Sequence, residues 1–225
     1  MLTISHIFYN QHCMLKLHKL AWEAHPKDTA YYTVIDDGSP VRVPLDFRLH
    51  NLDIYRIDED IPWNIAGARN LAFHVAKTEW VLCADIDHIV TTESLLRILD
   101  LDFGNHNTAY IFNRKTDDGY YGCRAIINVL MSRQRYFEIG GHDEDYSGHY
   151  GREETFFSRC LRYHKVRIVY CDDIVLDWRP RIGSTTGLVR NKTHNAKIFD
   201  DKCQALENGT YINDSLLRFE WRCVT

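Results

Sequence analysis

The sequence contains no uninterrupted apolar run of about 18 residues, the length that a membrane-spanning helix requires. Residues 1–9 lack the positive charge and the apolar core of a secretory signal. The seven cysteines are an odd number without any C-x-x-C pair, so they fit reduced thiols better than a disulfide framework. We therefore expect a cytoplasmic protein without a transmembrane segment, and we leave peripheral contact with a membrane open.

A basic arm is also missing, although the charges are unevenly distributed. The net charge is −4, and residues 1–149 contain 14 Lys and Arg against 21 Asp and Glu. Residues 150–225 contain 13 against 10. This basic excess suits an anionic ligand but is too small to indicate nucleic-acid binding. Nucleic acid is therefore a partner that the sequence leaves open and does not favour.

The sequence does contain an alternation of strand-like and helix-like segments. Apolar and β-branched runs predict strands at residues 2–9, 30–35, 52–57, 80–84, 108–113, 125–131, 166–170 and 216–224. Apolar residues at helical spacing predict helices at 13–25, 65–76, 93–99 and 155–163. This alternation predicts an α/β fold with ligands at the carboxyl ends of the strands. We expect one domain over residues 1–225, because 45% hydrophobic residues provide a sizeable core.

Two aspartates follow the apolar run at residues 80–84, which is predicted to be a buried strand. Asp85 and Asp87 are two residues apart, and the period of a strand places them on one side. Carboxylate oxygens are the ligands that a hard divalent cation prefers, and its remaining coordination positions suit phosphate oxygens. The pattern is typical of a metal–diphosphate site. The alternative is a strand that ends at the surface with two solvated aspartates.

Residues 140–154 contain four glycines, five acidic residues and two histidines. A solvated surface loop is one interpretation of so many charges. The other follows from the predicted helix at 155–163, which places Glu153 and Glu154 at a helix N-terminus beside a glycine-lined cavity. A carboxylate fixed in that way is what a general base requires. Residues 183–192 are glycine-rich and basic, and we expect them to close over a phosphate group or to form an ordinary surface loop.

The order of these motifs resembles the GT-A fold glycosyltransferases, in particular the inverting family 2 and the galactosyltransferase-like proteins. The matching segments span most of the chain and are the strand ending at Asn10, Asp36–Ser39, Gly67–Asn70, Asp85–Asp87, Gly140–Glu144 and Gly151–Glu154. The resemblance implies a single Rossmann-like GT-A domain with a mostly parallel, mixed central sheet. Residues 1–90 are then the nucleotide-binding half. Residues 91–225 are the acceptor-binding half, with a C-terminal loop and tail.

The resemblance also implies a nucleotide-sugar site. Asp36 or Asp37 is expected to contact the nucleotide base or the ribose. Arg69 lies on the predicted helix at 65–76, either near the diphosphate or, as an ordinary helical arginine, in solvent. The residues expected around the donor are Asp36, Asp37, Arg69, Asp85, Gly141 and Asp143.

The catalytic roles that the resemblance implies fall on two pairs of acids. Asp85 and Asp87 are expected to contact the ribose and to bind a manganese or magnesium ion. Glu154 stands where the family keeps its base, and Glu153 is expected to hold the acceptor or the sugar. The chemistry agrees, because a metal can neutralise the departing diphosphate while a carboxylate deprotonates the acceptor hydroxyl on the opposite face.

Three positions differ from the family pattern. Glu153-Glu154 replaces the usual Glu-Asp pair, and the acid that is usual two residues later is Phe156. The histidine that often binds the metal after the late strand is missing around Asp177–Arg179. The replacements that we consider are His194, His88 and His149. These differences leave the third metal ligand and the inverting outcome open, because a retaining relative with a D-x-H motif shares the fold.

We therefore expect a hexosyl- or N-acetylhexosaminyltransferase that moves a sugar from a nucleotide sugar, most often a UDP sugar in this fold. The expected acceptor is a hydroxyl of a saccharide or of a lipid-linked molecule. An alternative function is a catalytically silent module that binds a glycan or a partner. An alternative acceptor is a hydroxylated base in viral DNA. The sequence leaves the donor sugar, the acceptor and the oligomeric state open.

Overall fold

The computed structural model describes residues 1–44, 47, 49–119, 121–122, 126–179 and 188–224, and the elements below belong to these ranges. The strands are β1 (Leu2–Phe8), β2 (Ala30–Asp36), β3 (Leu52–Ile57), β4 (Trp80–Asp85), β5 (His88–Ile89), β6 (Thr108–Lys115), β7 (Tyr121–Gly122), β8 (Val129–Ser132), β9 (Arg167–Trp178) and β10 (Trp221–Cys223). The helices are α1 (His12–Ala24), α2 (Ile65–Val75), α3 (Thr92–Leu99), α4 (Arg133–Glu138), α5 (Glu153–Tyr163) and α6 (Thr193–Glu207), with a 3-10 turn at Glu144–Tyr146. Among these helices, none has the length and apolar character needed to cross a membrane.

The described strands all belong to one sheet. Its order is β10-β3-β2-β1-β4-β8-β6-β9-β5, with β7 paired to β6 outside this path. Strands β1 to β4 are parallel to one another, and β6 is parallel to β9. Strands β5, β8 and β10 pair antiparallel with their neighbours. The expected α/β fold with a mostly parallel, mixed central sheet is therefore confirmed.

The parallel register brings the carboxyl ends of the first strands to one edge of the sheet. Phe8 of β1 is level with Asp36 of β2, and Ile7 of β1 is level with Asp85 of β4. Alternate residues of these strands enter two separate buried apolar clusters, one on each face of the sheet. Because both faces are covered, the carboxyl edge is where a ligand can approach the strands.

The first strands and helices match their predicted bounds within one or two residues, whereas the later elements differ more. Strand β9 runs on to Trp178 because a register shift after Phe112 lets it keep pairing with β6 and then with β5. The predicted strand at 125–131 begins only at Val129, and residue 125 lies outside the described residues. Helices α4 and α6 have no counterpart in the predictions. Of the predicted loop at 183–192, residues 183–187 lie outside the described ranges.

Candidate active site

A cleft of about 450 Å³ opens at the carboxyl edge of the sheet. Its walls come from β1 and the ends of β2 and β4, from the loop before α5, and from residues 188–192. The acidic side chains that line it are Asp37, Asp85, Asp87, Glu153 and Glu154. Aspartates from the strands and glutamates from the start of a helix therefore share one cavity.

Asp85 and Asp87 enter the cleft from different backbone elements. Asp85 is the last residue of β4, and Asp87 belongs to the turn that follows, so the strand period expected for the pair stops before Asp87. Asp87 Oδ2 accepts a hydrogen bond from Trp178 Nε1 at 3.3 Å, and Asp87 Oδ1 lies 2.7 Å from His88 Nδ1. With 8% of its side chain exposed, Asp87 is held at the cleft wall and does not project into bulk solvent.

A buried histidine supports the turn between the two aspartates. His18 Nε2 of α1 lies 2.6 Å from the carbonyl oxygen of Ile86, so this nitrogen donates to that oxygen. Burial lowers the pKa of His18 to about 4, and the ring is therefore neutral near pH 7 and carries one N–H. The proton is on Nε2, because a carbonyl oxygen only accepts. His18 thereby fixes the peptide that separates Asp85 from Asp87.

Arg69 links the acids of the two elements. Its side chain is 1% exposed, and Nη2 donates to Asp85 Oδ1 and to Glu154 Oε1, each at 3.0 Å. Burial by itself lowers the pKa of Arg69, but Glu154 and Asp85 outweigh this effect and raise it. Arg69 is thus a fixed positive charge beneath the cleft and is not an exposed helical arginine. Because one nitrogen reaches both carboxylates, Asp85 and Glu154 lie close together.

Two carboxylates of the cleft have raised pKa values. Burial, reinforced by the charge of Glu154, raises the pKa of Glu153 to about 7. Burial also raises the pKa of Asp37 to about 7, although Asn64 Nδ2 donates to Asp37 at 2.9 Å. Within the described part of the chain, Glu153 Oε2 has no hydrogen-bond partner. A carboxyl group that gains and loses its proton near pH 7 can donate to a sugar hydroxyl or accept from it.

One asparagine holds the loop that precedes α5. Asn195 of α6 is fully buried, and its Nδ2 lies 2.7 to 3.0 Å from the carbonyl oxygens of Tyr146, His149 and Gly151. Arg152, the residue before the helix, has a φ of 83°, a left-handed conformation that is unfavourable for any residue with a side chain. The hydrogen bonds from Asn195 stabilise this backbone and so determine where α5 begins.

Asp36 and Gly141 were expected around the donor, and both lie behind the cleft lining. Asp36 Oδ2 is 2.5 Å from Arg56 Nη1, and Asp36 Oδ1 accepts from the backbone N–H of Ser39. Gly141 has a φ of 62°, and a Cβ at this position would lie 2.8 Å from Asn70 Oδ1. Asp36 therefore shapes the turn after β2, and Gly141 allows close packing against α2.

Asp143 and His194 are engaged away from the cleft. Asp143 Oδ2 accepts from Lys202 Nζ at 2.5 Å and from Tyr211 OH at 2.7 Å. His194 is exposed and stacks on His149, with 3.7 Å between the ring centroids. Of the three candidate histidines, His88 is the one that lines the cleft.

The acids at the end of β4 fit a divalent ion that is shared with a diphosphate. Among the described residues, no group of three or more His, Cys, Asp or Glu side chains is arranged to hold a metal. Asp85 and Asp87 nevertheless bring two carboxylates into one cleft. Magnesium is usually bound through one or two carboxylates, with phosphate oxygens and water at the other positions. The donor set therefore suits such an ion without a third protein ligand.

The cleft also contains aromatic and basic side chains that the sequence analysis does not assign to the site, namely Trp63, Arg114, Tyr150, Arg152 and Trp178. The Arg114 guanidinium lies 4.4 Å from the Trp178 ring centroid, and its Nη1 is 3.2 Å from His88 Nε2. Arg190 lies over the rings of Trp63 and Tyr150 at 5.7 and 5.6 Å. Arg114 lies near the end of β6 as Asp85 lies at the end of β4, and a polar residue directly after each predicted apolar run is the signal that could have identified it.

Phe156, which stands where the family pattern has an acid, is a core residue. It is 1% exposed and packs in a buried cluster with Tyr146, Phe199 and Leu206. This cluster joins α5 to α6 and to the 3-10 turn. The departure at Phe156 is therefore explained by packing.

The sheet, with acids at its carboxyl edge and a glutamate pair in the same cleft, has the architecture of the GT-A class of nucleotide-sugar glycosyltransferases. Residues 20–158 match the sequence pattern of the family described as Glycosyl transferase family 2. The chain belongs to this family. No curated protein matches it in sequence.

Solved structures with the same fold include three glycosyltransferases. S. aureus TarS 1-349 in complex with UDP-GlcNAc has a TM-score of 0.64 at 15% identity, over 83% of this chain and 61% of the TarS 1-349 chain. GalNAc-T7 with UDP, GalNAc and Mn²⁺ has a TM-score of 0.72 at 13% identity, over 93% of this chain and 49% of the GalNAc-T7 chain. The mannosyltransferase PcManGT from Pyrobaculum calidifontis with GDP-Man and Mn²⁺ has a TM-score of 0.63 at 16% identity, over 95% of this chain and 64% of the PcManGT chain. The chain thus spans less than two thirds of each of them, and the likeness shows the fold alone.

Proposed function

We propose that this chain is a metal-dependent glycosyltransferase that moves a sugar from a nucleoside diphosphate sugar to an acceptor hydroxyl. The preferred donor in this proposal is a UDP sugar. Its family membership supports the reaction class. UDP-GlcNAc in the TarS structure and GDP-Man in the PcManGT structure support the donor class, and Mn²⁺ in the GalNAc-T7 and PcManGT structures supports the metal. The transferred group in this proposal is a hexose or an N-acetylhexosamine.

The observation that carries the proposal is the joint position of three acids and one arginine. Asp85, Asp87 and Glu154 line one cleft, and Arg69 bonds to both Asp85 and Glu154 at 3.0 Å. Without the arginine, two carboxylates this close would repel each other. The charge of Arg69 offsets this repulsion and fixes the position of both acids.

Asp85 and Asp87 are the residues that would hold the manganese or magnesium ion, which when bound neutralises the charge that develops on the leaving diphosphate. Asp87 is fixed for this task by Trp178 and His88. The peptide between the aspartates is fixed by His18. Such fixed carboxylates reorganise little during the reaction, which is the general source of electrostatic stabilisation in active sites.

Glu154 is the proposed base. As the acceptor oxygen bonds to the anomeric carbon, the hydroxyl proton passes to Glu154, and the bond between that carbon and the diphosphate oxygen breaks. The products are the glycoside, the nucleoside diphosphate and a protonated glutamate. Attack from the face opposite the diphosphate inverts the anomeric centre. Glu153, with a pKa of about 7, is proposed to hydrogen-bond the acceptor or the sugar.

The two halves of the chain are proposed to divide the substrates between them. Residues 1–90 bind the nucleotide, with Asp37, Tyr9 and Gln11 at the cleft wall. Asp36 supports this wall from behind through Arg56. Residues 91–225 bind the acceptor, and Asp143 connects to α6 and the segment after it through Lys202 and Tyr211. The acceptor is proposed to be a saccharide or a lipid-linked molecule.

The test is a panel of UDP and GDP sugars, measured for thermal stabilisation and for hydrolysis with Mn²⁺, with Mg²⁺ and with EDTA. A donor at a hundred times its dissociation constant should add about 2.7 kcal/mol to the free energy of unfolding. Asp87→Ala should lose the metal-dependent part, whereas the exposed Asp214→Ala should keep it. Glycan binding without turnover of any donor would contradict the proposal and support the silent module.

A further inference from the structure

A second groove, of about 470 Å³, lies between α5 and α6. The residues that line it are Thr155, Arg159, Arg162, Tyr163, Cys203, Leu206 and Glu207. Thr155 also lines the active-site cleft, so the two cavities adjoin at this residue. A ligand that occupied both cavities would therefore lie along α5.

Two arginines follow one face of α5, and a third precedes the helix. Thr155, Arg159 and Arg162 are four and three positions apart, so they lie above one another on the helix, and Arg152 is the residue before its first turn. The guanidinium groups of Arg152 and Arg159 both approach the Phe199 ring, at 5.1 and 5.3 Å from its centroid. Because Arg152 lines the cleft, the row of positive charge runs from the active site into the groove.

Ordinary helix stabilisation does not account for this row. Arg162 lies in the last turn of α5, where the helix dipole favours a cation. Arg152 is at the opposite end, where the dipole disfavours a cation, and its backbone is left-handed. Arg159 lies 3.8 Å from Glu207, but both side chains are exposed, at 48% and 72%, so this ion pair contributes little.

We propose that the groove binds a phosphate group carried by the saccharide acceptor. This inference rests on the proposed function, because it names the class of acceptor for the same reaction. Arginine forks match phosphate oxygens in pairs, which a hydroxyl or an amide cannot exploit in the same way. Tyr163 and Leu206 give the groove an apolar surface for the attached sugar. In the proposed reaction the first cleft already holds the donor diphosphate and its metal ion, so the hydroxyl end of the acceptor enters the cleft and its phosphate stays in the groove.

The test uses glucose 6-phosphate as the probe, titrated into the full chain and followed through the arginine Nε–H signals in NMR spectra. Glucose, glucuronate and a short single-stranded DNA are titrated in parallel. The groove variant is Arg159→Gln with Arg162→Gln. The control is Arg97→Gln with Arg167→Gln, which removes the same charge from exposed positions away from both cavities. UDP binding is measured separately for each protein.

We expect glucose 6-phosphate to bind the wild type and the control within twofold of each other, and to bind the groove variant about tenfold more weakly. UDP binding should be the same in all three proteins. Equal affinity in the groove variant, equal binding of glucose or glucuronate, or tighter binding of DNA would overturn the phosphate-acceptor proposal. A wild type that binds glucose 6-phosphate as expected but no nucleotide would count against the proposed function and not against the groove.

Discussion

The two sides of the cleft are built in different ways. The aspartate side is part of the sheet, because β4 pairs with β1 on one edge and with β8 on the other. The glutamate side is a loop and a helix start, held by side chains from distant parts of the chain. Asn195 reaches it from α6, and Glu144 connects it to the C-terminal tail through the backbone N–H groups of Leu217 and Arg218.

This difference shows how a rigid site can be assembled from unequal parts. Backbone hydrogen bonds of the sheet fix Asp85 at the end of β4, and the side chains of His18 and Trp178 hold the turn that contains Asp87. The base side depends on a few buried polar groups, each of which leaves several unpaired partners if it is removed. Arg69 is the residue that joins the two sides. Substitutions on the metal-binding side should therefore lower mainly the rate of transfer, and substitutions on the base side should lower mainly the free energy of unfolding.

The largest effect is expected for Arg69→Met, which breaks the connection between the sides. Asp85 and Glu154 then remain near each other without their cation, and we expect a loss of about 3 kcal/mol in the free energy of unfolding at pH 7. This value is at the low end for buried pairs, because 32% of the Glu154 side chain is exposed. Urea unfolding at pH 7 measures this loss.

Two further variants control this prediction. Arg69→Lys keeps the charge but loses the fork geometry, so it should fall between the wild type and Arg69→Met. Arg97→Ala removes an exposed arginine and should change the unfolding free energy by less than about 0.5 kcal/mol. If Arg69→Met unfolds like the wild type, the arginine does not hold the two acids together.

Asp87→Ala should reduce the rate of sugar transfer at least about 100-fold with little change in stability, because it removes a proposed metal ligand from a turn that β4, β5 and His18 already fix. Steady-state rates at saturating Mn²⁺, together with a thermal melt, measure both quantities. A variant that melts like the wild type and retains more than a tenth of its rate would remove Asp87 from the mechanism.

Asn195→Ala should show the opposite pattern, with stability affected first. One buried and two part-buried carbonyl oxygens lose their donor, and we expect a loss of about 1–3 kcal/mol in unfolding free energy. Transfer should fall because the start of α5 shifts, while Mn²⁺-dependent binding of UDP should persist. His194→Ala, at the exposed neighbouring position, is the matched control and should change neither quantity.

The smallest predicted effect is a pH dependence of stability from Glu153. The folded pKa of about 7 lies above the value of about 4.5 for an unperturbed glutamate, so the folded state binds more protons between these two values. Unfolding free energy should therefore fall as pH rises from about 4.5 to 7 and should level off above. Urea midpoints at several pH values should show this fall reduced in Glu153→Gln by roughly 1 to 3 kcal/mol. An unchanged slope in the variant would mean that Glu153 titrates as an exposed group.

The aspartate side of the cleft could be predicted from the sequence to a larger extent than the glutamate side. The bounds of β1 to β4 and of α1 and α2 follow from local periodicity, and the acids at the strand ends follow from the position of ligand sites in α/β folds. Helix α6 has its buried residues at helical spacing, but only four of its 15 residues are buried and the first of them is the polar Asn195, so its apolar pattern is weak. His194 was considered as a metal ligand because histidine often binds metals, whereas the residue that holds the loop before α5 is its neighbour Asn195. Contacts such as those of Asn195 and Glu144 join residues more than 40 positions apart and leave no local pattern.

The most direct test of the central claim is a crystal structure with UDP and Mn²⁺, in which the ion is located by its anomalous scattering. The account predicts one ion, bound by the carboxylates of Asp85 and Asp87 and by the diphosphate, in the same cleft as Glu154. An ion bound elsewhere, or a diphosphate seated away from Asp85 and Asp87, would contradict it.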